Sequence, residues 1–302
     1  MAPTATAAAP GAPAPQAPAA PPRRNAALEY WRRFARHPLA VAGLVVLLAE
    51  IVAVTVLPPL LDLDPYTSTG SFNEAPNATY LLGTDDVGRD VFARCVYGGR
   101  VSLMVGILST LITLVIGVPL GLIAGYYRGK SEALIMRAAD IFMSFPSLVL
   151  ILVVVVVFGS SLPVIIGIIG VVGWPQVAKL VYSNVLSVKE EEYVESAVSL
   201  GMSDWQIIWR YVLPNSISPV WATLPFRVSS GITTEASLSF LGMGVQSPQA
   251  SWGNMINSAQ QYVVMTSRQW MWLPAGIMLV VTIVATNLLG EGIRDAFDPQ
   301  GD

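Results

Sequence analysis

Residues 189–215 read KEEEYVESAVSLGMSDWQIIWRYVLPN, from Lys189 to Asn215. The stretch predicts a helix, a turn and a second helix. Glu190, Glu191 and Glu192 suit a first helical turn, where the helix dipole is positive. Val194, Ala197 and Val198 fall at i, i+3 and i+4 and make a short apolar stripe. Gly201 can take the left-handed conformation that ends a helix. Ser203 and Gln206 have the spacing of a capping box, so a second helix starts there. Pro214 closes the unit. Such a hairpin, of fixed shape and held between apolar stretches, reads as a docking element.

The flanks decide where it sits. Upstream, Ile141 to Ala178 runs 38 residues without a charge. A bilayer core takes about 20 residues of helix, so this is two crossings. The break is expected at Gly159-Ser160-Ser161-Leu162-Pro163. Before it lie an uncharged run, Val101 to Tyr127, and Pro38 to Leu61, whose single charge is Glu50. After the hairpin comes a less pure run with Arg227 and Glu235, and then a last one opened by Trp270 and Trp272, which suit a membrane interface. Six spans are expected, near 38–61, 101–127, 138–158, 162–185, 213–243 and 270–290, with the hairpin at 189–214. Residues 1–27 are an Ala/Pro-rich tail expected to be disordered in the cytoplasm. Residues 28–100 form an N-terminal segment of one span and an outer loop, and 101–300 form the core.

Composition agrees with that layout. Of 302 residues, 53% are hydrophobic and 12% charged, against about 25% charged in soluble domains. Mean hydropathy is +0.58. An ordinary soluble enzyme is excluded. Net charge is −3, which offers no cation excess to nucleic acid. Cys95 and His37 are the single residues of their kinds. A disulfide within the chain and a Cys/His zinc site are thereby excluded. An intramembrane enzyme is the alternative from another class, but no HExxH or GxSxG motif supports it. No G-x-x-x-x-G-K-[ST] occurs, so ATP is not held here by that device. With the N-terminus inside, 12 of the 17 Lys and Arg fall on inner segments and four on outer ones. That bias places both termini in the cytoplasm.

The hairpin also resembles a known motif. Glu195, Ser196, Ala197, Gly201, Leu213 and Pro214 are similar to the EAA loop of ABC-importer permeases, with Ser196 in place of Ala and Tyr211 in place of Ile. GTDDVGRDVFARCVYGGRVSL (Gly83 to Leu103), SFPS (Ser144 to Ser147), ASLSFLGMGVQSPQASWGNM (Ala236 to Met255) and LLGEGIRDAFDP (Leu288 to Pro299) resemble the C-type permease of dipeptide/oligopeptide importers. The resemblance covers roughly residues 28–300. It implies an all-α integral membrane protein with the six-helix type I importer fold and a cytoplasmic coupling hairpin. It implies residence in a bacterial cytoplasmic membrane. It also implies a non-catalytic role beside a second homologous permease, two ABC ATPases that bind the ATP and magnesium, and an extracytoplasmic binding protein. No cofactor is expected in this chain. Peptides are the implied cargo, with nickel chelates, glutathione or another small solute as alternatives.

Charges inside spans are costly and tend to face a bundle interior or a water-filled path. Arg227 and Glu235 are eight residues apart, about two turns, and so share a face. They are expected either to line the solute path and meet peptide termini or to be structural, with partners on other helices or on the second permease. Glu50 is a further candidate, with contact to the second permease as one role. Arg89, Asp90 and Trp252 are candidate contacts for extracytoplasmic partners.

Overall fold

The computed structural model describes residues 31 and 33–297. The expected tail at 1–27 lies outside them. Helix α1 (Pro38–Leu60) matches the first span. Helix α2 (Val91–Tyr127) starts ten residues before the expected second span. The Asp90 carboxylate caps it by accepting from the Phe92 N–H at 2.8 Å. Its 37 residues run about 55 Å, well beyond a hydrocarbon core of about 30 Å. Its first turns, with Arg94 and Arg100, therefore extend beyond the hydrocarbon core.

The third span differs from expectation. It is two helices, α3 (Gly129–Met143) and α4 (Ser147–Phe158), bent by 86°. Pro146 is the cause. It has no N–H for a continuing helix and keeps Phe145 out of the helical region. Helix α5 (Leu162–Lys189) follows a break at the expected place, with Gly159 at φ +87°. After the hairpin come α9 (Ser218–Phe240), shorter than the expected 213–243, and α12 (Leu273–Phe297). Between these lie two short outer helices, α10 (Trp252–Asn257) and α11 (Tyr262–Ser267). Helices α1, α2, α5 and α12 are long and apolar enough to cross a membrane singly, and α3 with α4 makes a fifth crossing if taken together. Helix α9, 23 residues long, carries Arg227, Glu235 and a series of hydroxyls and is not among the helices apolar enough to cross by that measure.

The bundle is held by close helix contact. Helix α2 lies along α5 through Gly117, Gly121 and Gly125, one turn apart. A Cβ on Gly121 would stand 2.5 Å from the Ala178 carbonyl oxygen and 2.7 Å from Val181 Cβ. Small residues at such seams let backbones approach within the membrane, where lipid offers no hydrophobic drive for association. Helix α12 packs on α1 and α9.

Candidate functional site

The hairpin is built as its sequence suggests. Helix α6 (Glu192–Ser199) ends at Gly201, whose φ is +75°. The Gly201 N–H donates to Val198 O at 2.9 Å and the Met202 N–H to Ala197 O at 3.2 Å. This pair of bonds is the Schellman ending. The Ser203 N–H donates to Gln206 Oε1 at 3.2 Å, opening α7 (Asp204–Ile207). A π-helical turn, Ile208–Val212, leads into α8 (Leu213–Ser216). Pro214 therefore does not close the unit. Its missing N–H cannot reach the carbonyl one turn back, and the ladder widens beside it, with the Leu213 N–H on Ile208 O.

One face of the hairpin is anchored. Val194, Ala197, Ile207 and Val212 are buried in one cluster with Tyr126 of α2 and Val177, Val181 and Val185 of α5. The Tyr126 hydroxyl donates to Asp204 Oδ1 at 2.9 Å, and Lys189 Nζ donates to the Tyr126 carbonyl at 2.6 Å. A displacement of the hairpin must therefore be felt by the inner ends of α2 and α5. The opposite face is apolar and open. Leu200 is 82% exposed and Trp205 69%, with Trp209 edge-on to Trp205 at 5.2 Å. Val198 belongs to this face and not to the buried stripe expected of it. Glu195, Ser196, Gly201 and Pro214 are exposed, Leu213 is half-buried and Ala197 is buried. Large apolar side chains exposed on one short segment, beside Glu195 and Arg210, make this side a candidate interaction surface. No motif marks Leu200, Trp205 and Trp209 as outward, although the i, i+4 spacing of the two tryptophans puts them on one face. Gly201→Val should cost about 1–2 kcal/mol for a left-handed residue carrying a Cβ. Thermal unfolding in detergent, with a midpoint lowered by a few degrees, checks this.

The intramembrane charges are separated, not paired. Glu235 is fully buried. It accepts from Ser239 Oγ at 2.6 Å and Ser102 Oγ at 3.1 Å, and Ser102 in turn accepts from the Trp252 N–H at 3.3 Å. This enclosed cluster ties α9 to α2 and α10, and it does not face an open path. Arg227 is half-buried and looks elsewhere, donating from Nη1 to Gln176 Oε1 of α5 at 3.3 Å, while its Nε has no partner. Glu50 turns into the chain, where Thr282 Oγ1 of α12 donates to it at 2.8 Å. Its other oxygen is buried without a partner, beside an apolar cavity of about 710 Å³. Glu235→Leu should strand two hydroxyls, at about 1–3 kcal/mol for each unsatisfied group. Glu235→Gln, which can still bond both, should lose far less stability in the same unfolding measurement.

The outer layer also uses its charges internally. The Asp85 carboxylate accepts from Arg89 Nε at 2.8 Å, with Arg94 Nε at 3.4 Å. Arg89 also reaches Ser247 Oγ at 3.2 Å. Asp90 caps α2, and burial raises its carboxyl pKa against the lowering effect of the Phe92 and Ala93 N–H groups. Trp252 corrects the expectation of a partner contact. It is fully buried, and its Nε1–H donates to the Cys95 carbonyl at 3.0 Å. Gly99 opens the slot it fills, since a Cβ there would come within 2.7 Å of the indole.

Comparison with known families decides what this bundle is. Residues 117–300 match the family described as binding-protein-dependent transport system inner membrane component. The chain belongs to this family. Residues 28–78 of the permease match the N-terminal transmembrane domain of oligopeptide transport permease C. Among its relatives, the glutathione transport system permease protein GsiD of Pectobacterium atrosepticum is 41% identical over 275 residues, 90% of each chain. The dipeptide transport system permease protein DppC of Alkalihalophilus pseudofirmus is 36% identical over 274 residues, covering 90% of the permease and 89% of that protein. The inward-facing MetNI methionine ABC transporter shares the fold, with a TM-score of 0.55 at 18% identity over 67% of the permease and 96% of that chain. The permease is thus a multi-pass membrane component of an ABC importer.

Proposed function

We propose that this permease carries di- and oligopeptides inward as one of two homologous membrane subunits, driven by two ATPases that dock on the 189–214 hairpin. The observation that carries the proposal is the hairpin itself. It presents Leu200, Trp205 and Trp209 to solvent on one side and is fixed to α2 and α5 on the other. ATP-driven closure of the ATPases moves the hairpin, and the buried Val194, Ala197, Ile207 and Val212 pass that motion to the spans. Alternation between inward-open and outward-open states follows, with the nucleotide biasing the balance. An extracytoplasmic binding protein delivers the solute, the membrane is the bacterial cytoplasmic one, and both termini are cytoplasmic. Glu195 and Ser196 are solvent-facing contacts for the ATPase, Gly201 allows the turn, and Arg227 faces the second permease or the path. Glu50, Glu235, Arg89 and Asp90 serve the architecture. The chain itself binds no cofactor, and ATP and magnesium reside in the ATPases.

Glutathione is a second reading of the cargo, favoured by the 41% identity to a glutathione permease. It is itself a tripeptide with two carboxylates. Proteoliposomes holding the assembled complex, loaded binding protein and internal ATP separate the readings. Uptake of labelled dialanine that competes weakly with glutathione supports the peptide reading. Uptake of glutathione alone supports the second, and ATP-independent flux of both overturns the proposal.

A further inference from the structure

Glu50 is 5% exposed, and one of its two oxygens is buried with no hydrogen-bond partner. It lies near the middle of α1 and lines the cavity of about 710 Å³ between α1, α2 and α12. Glu50, Ala53, Val54 and Leu57 stand at i, i+3, i+4 and i+7 and make one wall. From Glu50 to Leu57 is two turns, about 10 Å along the helix. Phe92 of α2 and Ile277 and Met278 of α12 make the other walls, and Gln269 and Trp270 stand at the outer end. Leu273 and Ile277 are exposed on the outward side of α12, so the rim is open on the side that acyl chains cover.

The free oxygen finds no donor within the chain. Thr282 Oγ1 bonds the other oxygen at 2.8 Å and so ties α1 to α12. The Trp252 indole N–H is used by the Cys95 carbonyl at 3.0 Å, and that of Trp270 by the Thr84 carbonyl at 3.3 Å. Among the described residues, no Lys, Arg or His lines the cavity. Water fares little better, since a buried water takes about three hydrogen bonds. Apart from Glu50 and the two indoles, the walls offer only the Cys95 thiol and, at the far end, the Gln269 amide.

An apolar cavity with one placed polar group has the character of a small-molecule site. An ionisable side chain at membrane depth points the same way. Ionised, this carboxyl needs a counter-charge as well as a donor, because an unpaired buried charge is costly. An ammonium supplies both in one group. The apolar walls call for an alkyl or ring body behind it.

We propose that this cavity binds an amphiphilic amine that enters from the bilayer, its ammonium on the free Glu50 oxygen and its apolar body along Val54, Ile277 and Met278. The site shares no residue with the hairpin, and the proposal holds whatever the cargo is.

The test uses the complete transporter in phosphatidylcholine nanodiscs, with labelled dodecylamine as probe and dodecanol, of equal chain length, as its neutral counterpart. The wild-type complex should hold dodecylamine saturably and at least about tenfold more tightly than dodecanol, the advantage of a charge-assisted hydrogen bond. Glu50→Gln keeps an acceptor for Thr282 and loses the charge. It should bring the two affinities to within about twofold, with the ATPases and second permease retained. Ala53→Phe fills the cavity beside Glu50 and should abolish saturable binding of both probes. Equal affinities in the wild-type complex, or unsaturable partition into the nanodisc alone, would overturn the proposal. So would an unchanged preference in Glu50→Gln. Should Glu50→Gln fail to assemble, Ala53→Phe decides, and saturable dodecylamine binding retained there counts against the site. A photoreactive benzoylphenylalanine at Ala53 that joins the second permease would show the cavity filled by that chain, which also overturns the proposal.

Discussion

The double variant Leu200→Asp, Trp205→Asp is expected to insert and fold as the parent chain does and to lose its ATPase subunits. Both side chains point into solvent, at 82% and 69% exposure, and neither belongs to the cluster that holds the hairpin. Their removal therefore costs the folded chain little. The complex loses far more. Burying one large apolar side chain is worth about 1.5–3 kcal/mol, and tryptophan is enriched among residues that dominate interfaces. Two such losses amount to about 3–6 kcal/mol, or at least roughly 100-fold in affinity. The added carboxylates must also be desolvated if an ATPase closes over them. Thermal unfolding of the purified chain, beside the yield of ATPase in affinity purification, checks both halves of the expectation.

The second large effect falls on folding. Gly121→Val should abolish most of the folded protein in membranes. A Cβ there meets a backbone carbonyl at 2.5 Å and Val181 Cβ at 2.7 Å, and Cγ1 of Val181 is at 3.1 Å. The carbonyl belongs to α5 and cannot rotate aside as a side-chain tip would. Overpacking typically costs about 1–3 kcal/mol, and a forced separation of α2 from α5 puts this case at or above that range. It would also open the cluster that anchors the hairpin. Gly167, on α5, has nothing within 4 Å of its Cβ position. Gly167→Val should fold normally, which makes it the control for general effects of valine. Detergent-solubilised yield of monodisperse protein separates the two variants.

What was readable in the residues, and what was not, follows their physical character. Chain-local chemistry was readable. The break at 159–163 showed because Gly, Ser and Pro interrupt an uncharged run, and the hairpin showed because Gly201 and Ser203 carry their own caps. The bend at Ser144–Pro146 was hidden by the same uncharged run, since hydropathy counts length and not direction. Residues 129–137 are polar and lie before the expected third span, yet they open helix α3. Trp252 looked like a surface aromatic in a polar stretch. Its burial depends on Gly99, more than 150 residues away, and no local pattern carries that. Glu235 shares a face with Arg227 by spacing, which named neither a path role nor its partners on other helices. Ser102 and Ser239 supply its partners, and hydroxyls are too common to announce such a role.

The central claim is that the exposed face of the hairpin seats on an ATPase. A photoreactive benzoylphenylalanine in place of Trp205 tests it most directly. Illumination of the purified complex should join this chain to an ATP-binding subunit as the main adduct. With both ATPases present in the same preparation, an adduct confined to another permease chain, or no adduct, would contradict the claim.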